Sequence, residues 1–328
     1  MCNSQYQYTL RKNHKGLLKM PGLITHIIGG HAALKSTSPL IRNYITPMKS
    51  LFNLGTQGPD IFFYYISGAI TKRIRNVGSQ MHNSDLGRFF MQMADKIKHS
   101  QSPSEQRILF TYTAGFLAHY AVDVHTHPYV FSQTFDPPHP AMEETWRHYH
   151  FETSIDVLML RNMYGKQPSD YKLGQLIAPD CLCKRAAAAA MSDAIRKVYA
   201  RDIRPWDVYG AMEQMARYTG YMQSNTGRLK RCLGRAEAIV LKTKLISGLI
   251  HMQEVTESRD FLNLKKTSWV SPFAGDTRME SFIELFDAAV EDAAQMIEAL
   301  FAYIHGNLSK NQLALQIKNR SLKTGQNP

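Results

Sequence analysis

Apolar residues recur at helical spacing along most of the chain, and no segment alternates apolar with polar residues as a strand would. Residues 84–98 give the clearest stripe: Leu86, Phe89, Phe90, Met93, Ala94 and Ile97. Ser102-Pro103-Ser104-Glu105 then reads as a fresh helix start, with Ser102 as cap and Pro103 at the first helical position. That helix is predicted to pass Phe110 and Phe116 and to stop at His127, because Pro128 biases the residue before it out of helical geometry. The run Asp136-Pro137-Pro138-His139-Pro140 makes residues 131–140 a loop, and the next helix carries His148 and reaches about Met163. Further helical patterns cover 185–200, 206–235, 236–252 and 281–304, the last closed by Gly306, with a loop at 269–275. Upstream, Thr25 caps a helical stretch through His31. Gly58-Pro59 breaks structure just ahead of Asp60-Ile61-Phe62-Phe63-Tyr64, and 66–80 read as a basic loop. The pattern predicts an all-α fold, a single multi-helix domain over residues 20–307. A polar, basic leader (1–19), expected to be disordered and dispensable for folding, precedes it, and a polar tail expected to fray (308–328) follows.

Composition narrows the class. With 328 residues, 44% hydrophobic and 20% charged, the chain suits a soluble globular protein with a large core. No apolar run approaches the length of a membrane span. Residues 1–19 lack the apolar stretch of a secretory signal, so a cytoplasmic location is expected. Cys2, Cys181, Cys183 and Cys232 are too few and too irregularly spaced for a disulfide framework and read as reduced thiols. The net charge of +12 is spread rather than blocked. It favours anionic partners, whether nucleic acid, anionic lipid surfaces or phosphorylated substrates, without choosing among them.

The chemistry gathers in one half of the chain, where eleven of the thirteen histidines precede residue 151. His119, Asp123 and His127 follow one another at i, i+4, i+8, which stacks them on one helical face. His148 and Glu152 repeat the offset, and Asp156 extends it by a turn. A single pair of this kind is usually a solvated stripe. Two such helices amid Phe116, Leu117, Tyr120, Val122, Phe151 and Ile155 are different, because charged groups buried there need a partner. Imidazole with carboxylate is the donor set of hydrolytic zinc. His125 and His150 fall off the stripes and read as surface residues or as partners of the ligands rather than as ligands themselves. His139 sits in a proline loop, where it could touch substrate or be merely exposed, while His14, His31, His99, His251 and His305 read as solvent histidines. Asp156 reads either as a group orienting His148 or as a surface carboxylate.

Three stretches carry a family resemblance: Pro21-Gly22-Leu23-Ile24-Thr25-His26, Leu54-Gly55-Thr56-Gln57-Gly58-Pro59-Asp60-Ile61-Phe62-Phe63-Tyr64, and Gly115-Phe116-Leu117-Ala118-His119-Tyr120-Ala121-Val122-Asp123 through His127-Pro128-Tyr129. In these the chain resembles the zinc-dependent phospholipase C family, with a weaker likeness extending to roughly residue 305. The resemblance implies a helical fold around a zinc cluster. Asp60, His82, His119 and Asp123 would hold one ion, and His127, His148 and Glu152 a second. A third would lie at His26, with Asp123 bridging. In the family's secreted members a processed N-terminal tryptophan completes that third site, and this sequence has no tryptophan before Trp146. Two zinc ions are therefore the expectation.

The implied activity is hydrolysis of a phospholipid head-group phosphodiester by metal-activated water, with Asp60 as general base. Phe62, Phe63, Tyr64 and Tyr65 followed by Lys72, Arg73 and Arg75 suit either an enzyme docking on an anionic membrane or a core helix followed by a solvated loop. Two rival readings keep the metals: a zinc nuclease or nucleotide phosphoesterase of the same superfamily, and a non-catalytic helical metal-binding protein.

Overall fold

A computed structural model describes residues 22–66, 70–135, 141–221, 228–240, 250–256 and 258–328. Thirteen α-helices account for most of them. Four precede the first of the predicted stripes: α1 (Leu23–Ser36), α2 (Pro39–Ile45), α3 (Lys49–Gly55) and α4 (Thr71–Asn83). Next come α5 (Leu86–Lys98), α6 (Pro103–Thr134) and α7 (Ala141–Tyr164), then a one-turn α8 (Leu173–Leu176). The remainder are α9 (Cys181–Tyr199), α10 (Pro205–Tyr221), α11 (Arg228–Val240), α12 (Phe282–Ile304) and α13 (Lys310–Ile317). A 3₁₀ helix, Gly58–Tyr64, links α3 to α4. The all-α expectation holds. Among the described residues the exception is a two-residue antiparallel ladder that starts in the predicted 269–275 loop and closes just beyond it, Trp269–Val270 against Thr277–Arg278.

The fold is built around α6. It starts as the sequence predicts, with the Ser102 hydroxyl accepting from the Glu105 N–H and Pro103 in the first turn. Its buried residues run almost without a break from Leu109 to Phe131, so no exposed stripe remains and the helix is wrapped on every side. Helices α1, α3, α5, α7 and α12 pack around it. Phe116 meets Phe89 and Phe90 at ring-centroid distances of 5.3 and 5.1 Å, and Phe90 meets Tyr120 at 5.3 Å. Tyr112 and Met191 bring α9 against the same helix.

Three expectations are corrected. First, α6 does not stop at His127; Pro128 sits inside it and the helix reaches Thr134. Proline forbids only the N–H bond to Val124 and crowds that turn, and packing on all sides outweighs the local bias. Second, much of the predicted basic loop at 66–80 is helix α4, with Ile74, Val77, Gly78 and Met81 buried and Lys72 and Arg73 exposed, an amphipathic face masked by its charges. Third, the segment expected to fray folds. Ser309 and Gln312 form a capping box for α13, and Leu313, Ile317 and Leu322 are fully buried. Residues 1–19, His14, His139 and part of the 236–252 helix lie outside the described residues.

Candidate metal centre

Four elements bring the predicted residues together with the 3₁₀ helix between them. Helix α1 supplies His26, the 3₁₀ helix Asp60, and α4 His82 in its last turn. Helix α6 supplies His119, Asp123 and His127 on one stripe, and α7 supplies His148 and Glu152. All eight are buried. The 3₁₀ turn depends on Gly58, which adopts a positive φ of 49° and lies so close to His119 that a β-carbon there would stand 2.3 Å from the imidazole ring.

Among the described residues three sets of donors converge, the ligand atoms within each set lying within 4.8 Å of one another: His26, His119 and Asp123; Asp60, His82 and His119; His127, His148 and Glu152. Asp123 is the hub. Its two oxygens lie 3.2 Å from His26 Nε2, 3.1 Å from His119 Nε2 and 3.5 Å from His127 Nε2. Glu152 Oε1 lies 3.3 Å from His127 Nε2 and 3.0 Å from His148 Nε2. Asp60 Oδ1 lies 3.0 Å from His82 Nε2, and its Oδ2 3.9 Å from His119 Nδ1. A cavity of about 20 Å³ opens among His26, Asp123, His127 and Glu152, room for one water-sized particle.

The ring orientations are the most informative feature. Four imidazoles turn Nδ1 outward to a fixed oxygen: His82 to Gly78 O at 2.8 Å, His119 to Thr56 O at 3.2 Å, His127 to Leu322 O at 2.8 Å and His148 to Thr134 Oγ1 at 3.3 Å. A carbonyl oxygen can only accept, so in three of them Nδ1 carries the proton and Nε2 is left as a lone-pair donor facing the carboxylates. These inward atoms make no hydrogen bond at His82 Nε2, His119 Nε2, Asp60 Oδ1, Asp123 Oδ2 and Glu152 Oε2, although all are buried. Buried lone pairs left without a partner are costly unless something binds them, and divalent cations held by the three donor sets would satisfy all five. The donor set of imidazole and carboxylate fits zinc.

The electrostatics agree. Burial lowers His119 to about 4, so its ring is neutral at pH 7, and burial also holds His82 well below the usual imidazole range. Burial lifts Glu152 to about 7, and burial with the nearby Asp123 and Glu152 carboxylates lifts Asp60 well above the carboxylate range. Asp123 goes the other way: burial opposes its charge, but His127, His119 and His26 around it hold it well below the carboxylate range. Without a cation the cluster thus keeps two of its three carboxyls inclined to hold protons.

The neighbours sort as follows. His125 points away from the cluster, 3.0 Å from Asp292, as its offset predicts. Asp156 is neither a surface group nor a partner of His148. Its oxygens accept from Ile24 N at 3.1 Å, Thr25 N at 2.7 Å, Thr25 Oγ1 at 2.6 Å and His251 Nε2 at 2.7 Å. Helix α1 has no acidic residue in its first turn, so the Asp156 carboxylate from α7 satisfies its amino end and fixes the turn that carries His26. His251, expected in solvent, is buried on that carboxylate, and His31 is half-buried, 2.7 Å from Asn53 Oδ1. Phe62, Phe63, Tyr64 and Tyr65 belong to the core and not to an exposed rim. Missed from the sequence were the Thr56 and Leu322 carbonyls and the buried phenol of Tyr149; burial raises this phenol and that of Tyr64, with Asp60 adding at Tyr64 and Glu152 at Tyr149. Backbone acceptors leave no trace in composition.

A family model described as zinc dependent phospholipase C matches residues 25–206. No curated protein and no solved structure matches the chain. The matched span includes every residue of the three donor sets.

Proposed function

Because the chain belongs to the zinc dependent phospholipase C family, we propose that it is a hydrolase that cleaves a phospholipid head-group phosphodiester, giving diacylglycerol and a phosphorylated head group. The observation that supports this best is the set of four rings anchored at Nδ1 and converging through Nε2 on buried carboxylates. Zinc held there supplies Lewis acidity toward a phosphodiester and lowers the pKa of water to roughly 7.

The chain's own residues divide the remaining work. His26, His119 and Asp123 form one binding set, Asp60, His82 and His119 a second, and His127, His148 and Glu152 a third. Asp123, with three imidazoles around it, ties the sets together. His119 is common to the first two sets, which favours fewer ions than sets, with two the proposed number. Asp60 is the proposed general base: its oxygens face different imidazoles, so one can serve a metal while the other accepts a proton. A cation beside Asp60 offsets the burial that otherwise keeps it protonated.

A lipid substrate suits the family and the basic charge. Since the aromatic run after Asp60 is core, it offers neither a lipid-facing rim nor a stacking platform for bases, and among the described residues of the site nothing favours nucleic acid. Among the described residues no helix is long and apolar enough to cross a membrane, so any contact these helices make with a bilayer is from its surface. The test is elemental analysis of protein produced with zinc, followed by assays on phosphatidylcholine vesicles and single-stranded DNA at matched zinc. Zinc near two per chain with release of phosphocholine is expected. Trace zinc, or cleavage of DNA alone, overturns the proposal.

A further inference from the structure

Residues 318–326 follow α13 and cross the metal centre from outside the family-matched span. Lys318 turns the chain with a φ of 63°. Asn319 Oδ1 accepts from Gly87 N at 2.9 Å, and Arg320 N donates to the Tyr120 hydroxyl at 2.8 Å. The Arg320 guanidinium meets Asp292 at 2.7 Å. The Ser321 hydroxyl and the Leu322 N–H both donate to the carbonyl of His82, each at 3.1 Å. The Leu322 carbonyl accepts from His127 Nδ1 at 2.8 Å. One residue's backbone therefore grips both the helix end that carries His82 and the ring of His127.

The segment also seats itself where α6 is weakest. Pro128 leaves the Val124 carbonyl without its helical N–H partner. Gly325 lies against that carbonyl, with φ at 68° and a β-carbon position only 2.6 Å from the oxygen, so no side chain fits. The loop is closed on itself by Gly325 N to Ser321 O at 2.9 Å and Ser321 N to Gln326 O at 2.8 Å. Leu322 is fully buried, and even Lys323 is nearly so. A solvent-exposed tail has none of these features.

We propose that residues 319–325 are a positioning element of the metal centre, a strap whose Leu322 carbonyl fixes the His127 ring with Nε2 toward Glu152 and Asp123. The proposal rests on the reading of His127, His148 and Glu152 as a metal-binding set. The strap holds no ligand atom of that set; its effect on the set passes through His127. Partners that orient a ligating histidine typically change metal affinity by roughly 10–100-fold.

The test uses the full chain and three variants: removal of residues 318–328, Gly325→Val, and Leu322→Ile, which keeps the backbone carbonyl. Zinc stoichiometry and affinity are read by elemental analysis and chelator competition, and site geometry by the visible spectrum of the cobalt-substituted protein. His127→Ala identifies the equivalent of metal in question. Expected is at least a tenfold weaker second equivalent and an altered cobalt spectrum in the shortened chain and in Gly325→Val, with Leu322→Ile like the parent. Combining either variant with His127→Ala should then add no further loss of metal. Should the shortened chain fail to fold, Gly325→Val and the imidazole Nδ1–H resonance of His127 in the parent decide the matter. Unchanged zinc affinity and cobalt spectrum in a folded variant overturn the strap. Unchanged stoichiometry in His127→Ala overturns the metal assignment beneath it.

Discussion

Two stripes of α6 lie side by side and obey opposite rules. Phe116 and Tyr120, one turn apart, are buried among other rings and make the dense apolar contacts that hold the helix in place. His119, Asp123 and His127 are buried as deeply, yet Nε2 of His119 and Oδ2 of Asp123 make no hydrogen bond. The apolar stripe gains free energy by leaving water. The polar stripe loses it unless a cation is bound. The first therefore stabilises the scaffold so that the second can be held in an arrangement it would not choose alone, as functional sites commonly are.

The sharpest break removes the hub. Asp123→Ala should strip metal from more than one donor set and reduce activity by more than the roughly 100-fold that losing an outer partner costs. His125→Ala, two residues away but paired with Asp292 outside the cluster, should change zinc content and activity little. Zinc analysis and vesicle hydrolysis of the two variants check this. Equal losses from both would mean that the stripe does not define the site.

Breaking the other stripe should damage stability and spare the chemistry. Phe116→Ala removes a fully buried ring packed on Phe89 and Phe90 and should cost about 3–5 kcal/mol. Thermal unfolding of the zinc-loaded protein should fall by about 5–15 °C. The molecules that remain folded should carry the parent's zinc. If zinc were lost in step with Phe116, the two stripes would not be separable.

A pH series sets the stripes further apart, because only the polar one titrates near neutrality. Glu152, at about 7 in the folded metal-free protein, must release a proton to bind zinc, and Asp60 likewise. Zinc affinity should therefore fall below pH 7 by roughly tenfold per pH unit for each proton displaced, and zinc addition at pH 6 should release protons measurable by calorimetry in different buffers. For the metal-free protein the signs oppose. A Glu152 raised from 4.5 to about 7 removes stability as pH climbs through that interval, whereas a His119 lowered from 6.5 to about 4 contributes stability above 6.5 that is lost as pH falls toward 4. Metal-free stability should thus vary weakly with pH where zinc affinity varies steeply. A flat zinc affinity from pH 6 to 8 would remove Glu152 from the ligand set.

Both stripes can be read from the sequence, because i, i+4 spacing is local and survives without a structure. Helices α5, α6, α7 and α12 are legible for the same reason. Sequence and structure part where a local rule meets a distant partner. Pro128 reads locally as a stop, but α6 is enclosed on all sides, with Gly325 against the carbonyl that proline leaves open. Helix α4 is hidden by Lys72, Arg73 and Arg75, although Ile74, Val77, Gly78 and Met81 keep helical spacing beneath them. The segment after residue 307 has few apolar residues, yet Leu313, Ile317 and Leu322 are each fully buried. A carbonyl that orients a histidine 195 residues away cannot be seen in any local window.

Asp156 makes the smallest and most discriminating break, because it supports the polar stripe without belonging to it. Its carboxylate receives two backbone N–H groups of α1, the Thr25 hydroxyl and His251 Nε2. The N-terminal end of α1 bears partial positive charge, so an anion there is favourable, and this anion fixes the turn carrying His26. Asp156→Asn keeps the size but removes the charge and turns an NH₂ toward groups that themselves donate. The cost should be about 1–3 kcal/mol, the usual loss when buried hydrogen-bonding groups are left unmatched. Because His26 shares Asp123 with the other donors without dominating them, zinc at the remaining sets should hold, and any loss should be confined to the ion nearest α1. Thermal unfolding with and without zinc separates the two effects: a similar drop in both states marks a structural cap, and a larger drop with zinc marks a cap that also serves His26. An Asp156→Asn variant as stable as the parent in both states would show that α1 reaches its place without that carboxylate, and that the polar stripe is held by α6 and α7 alone.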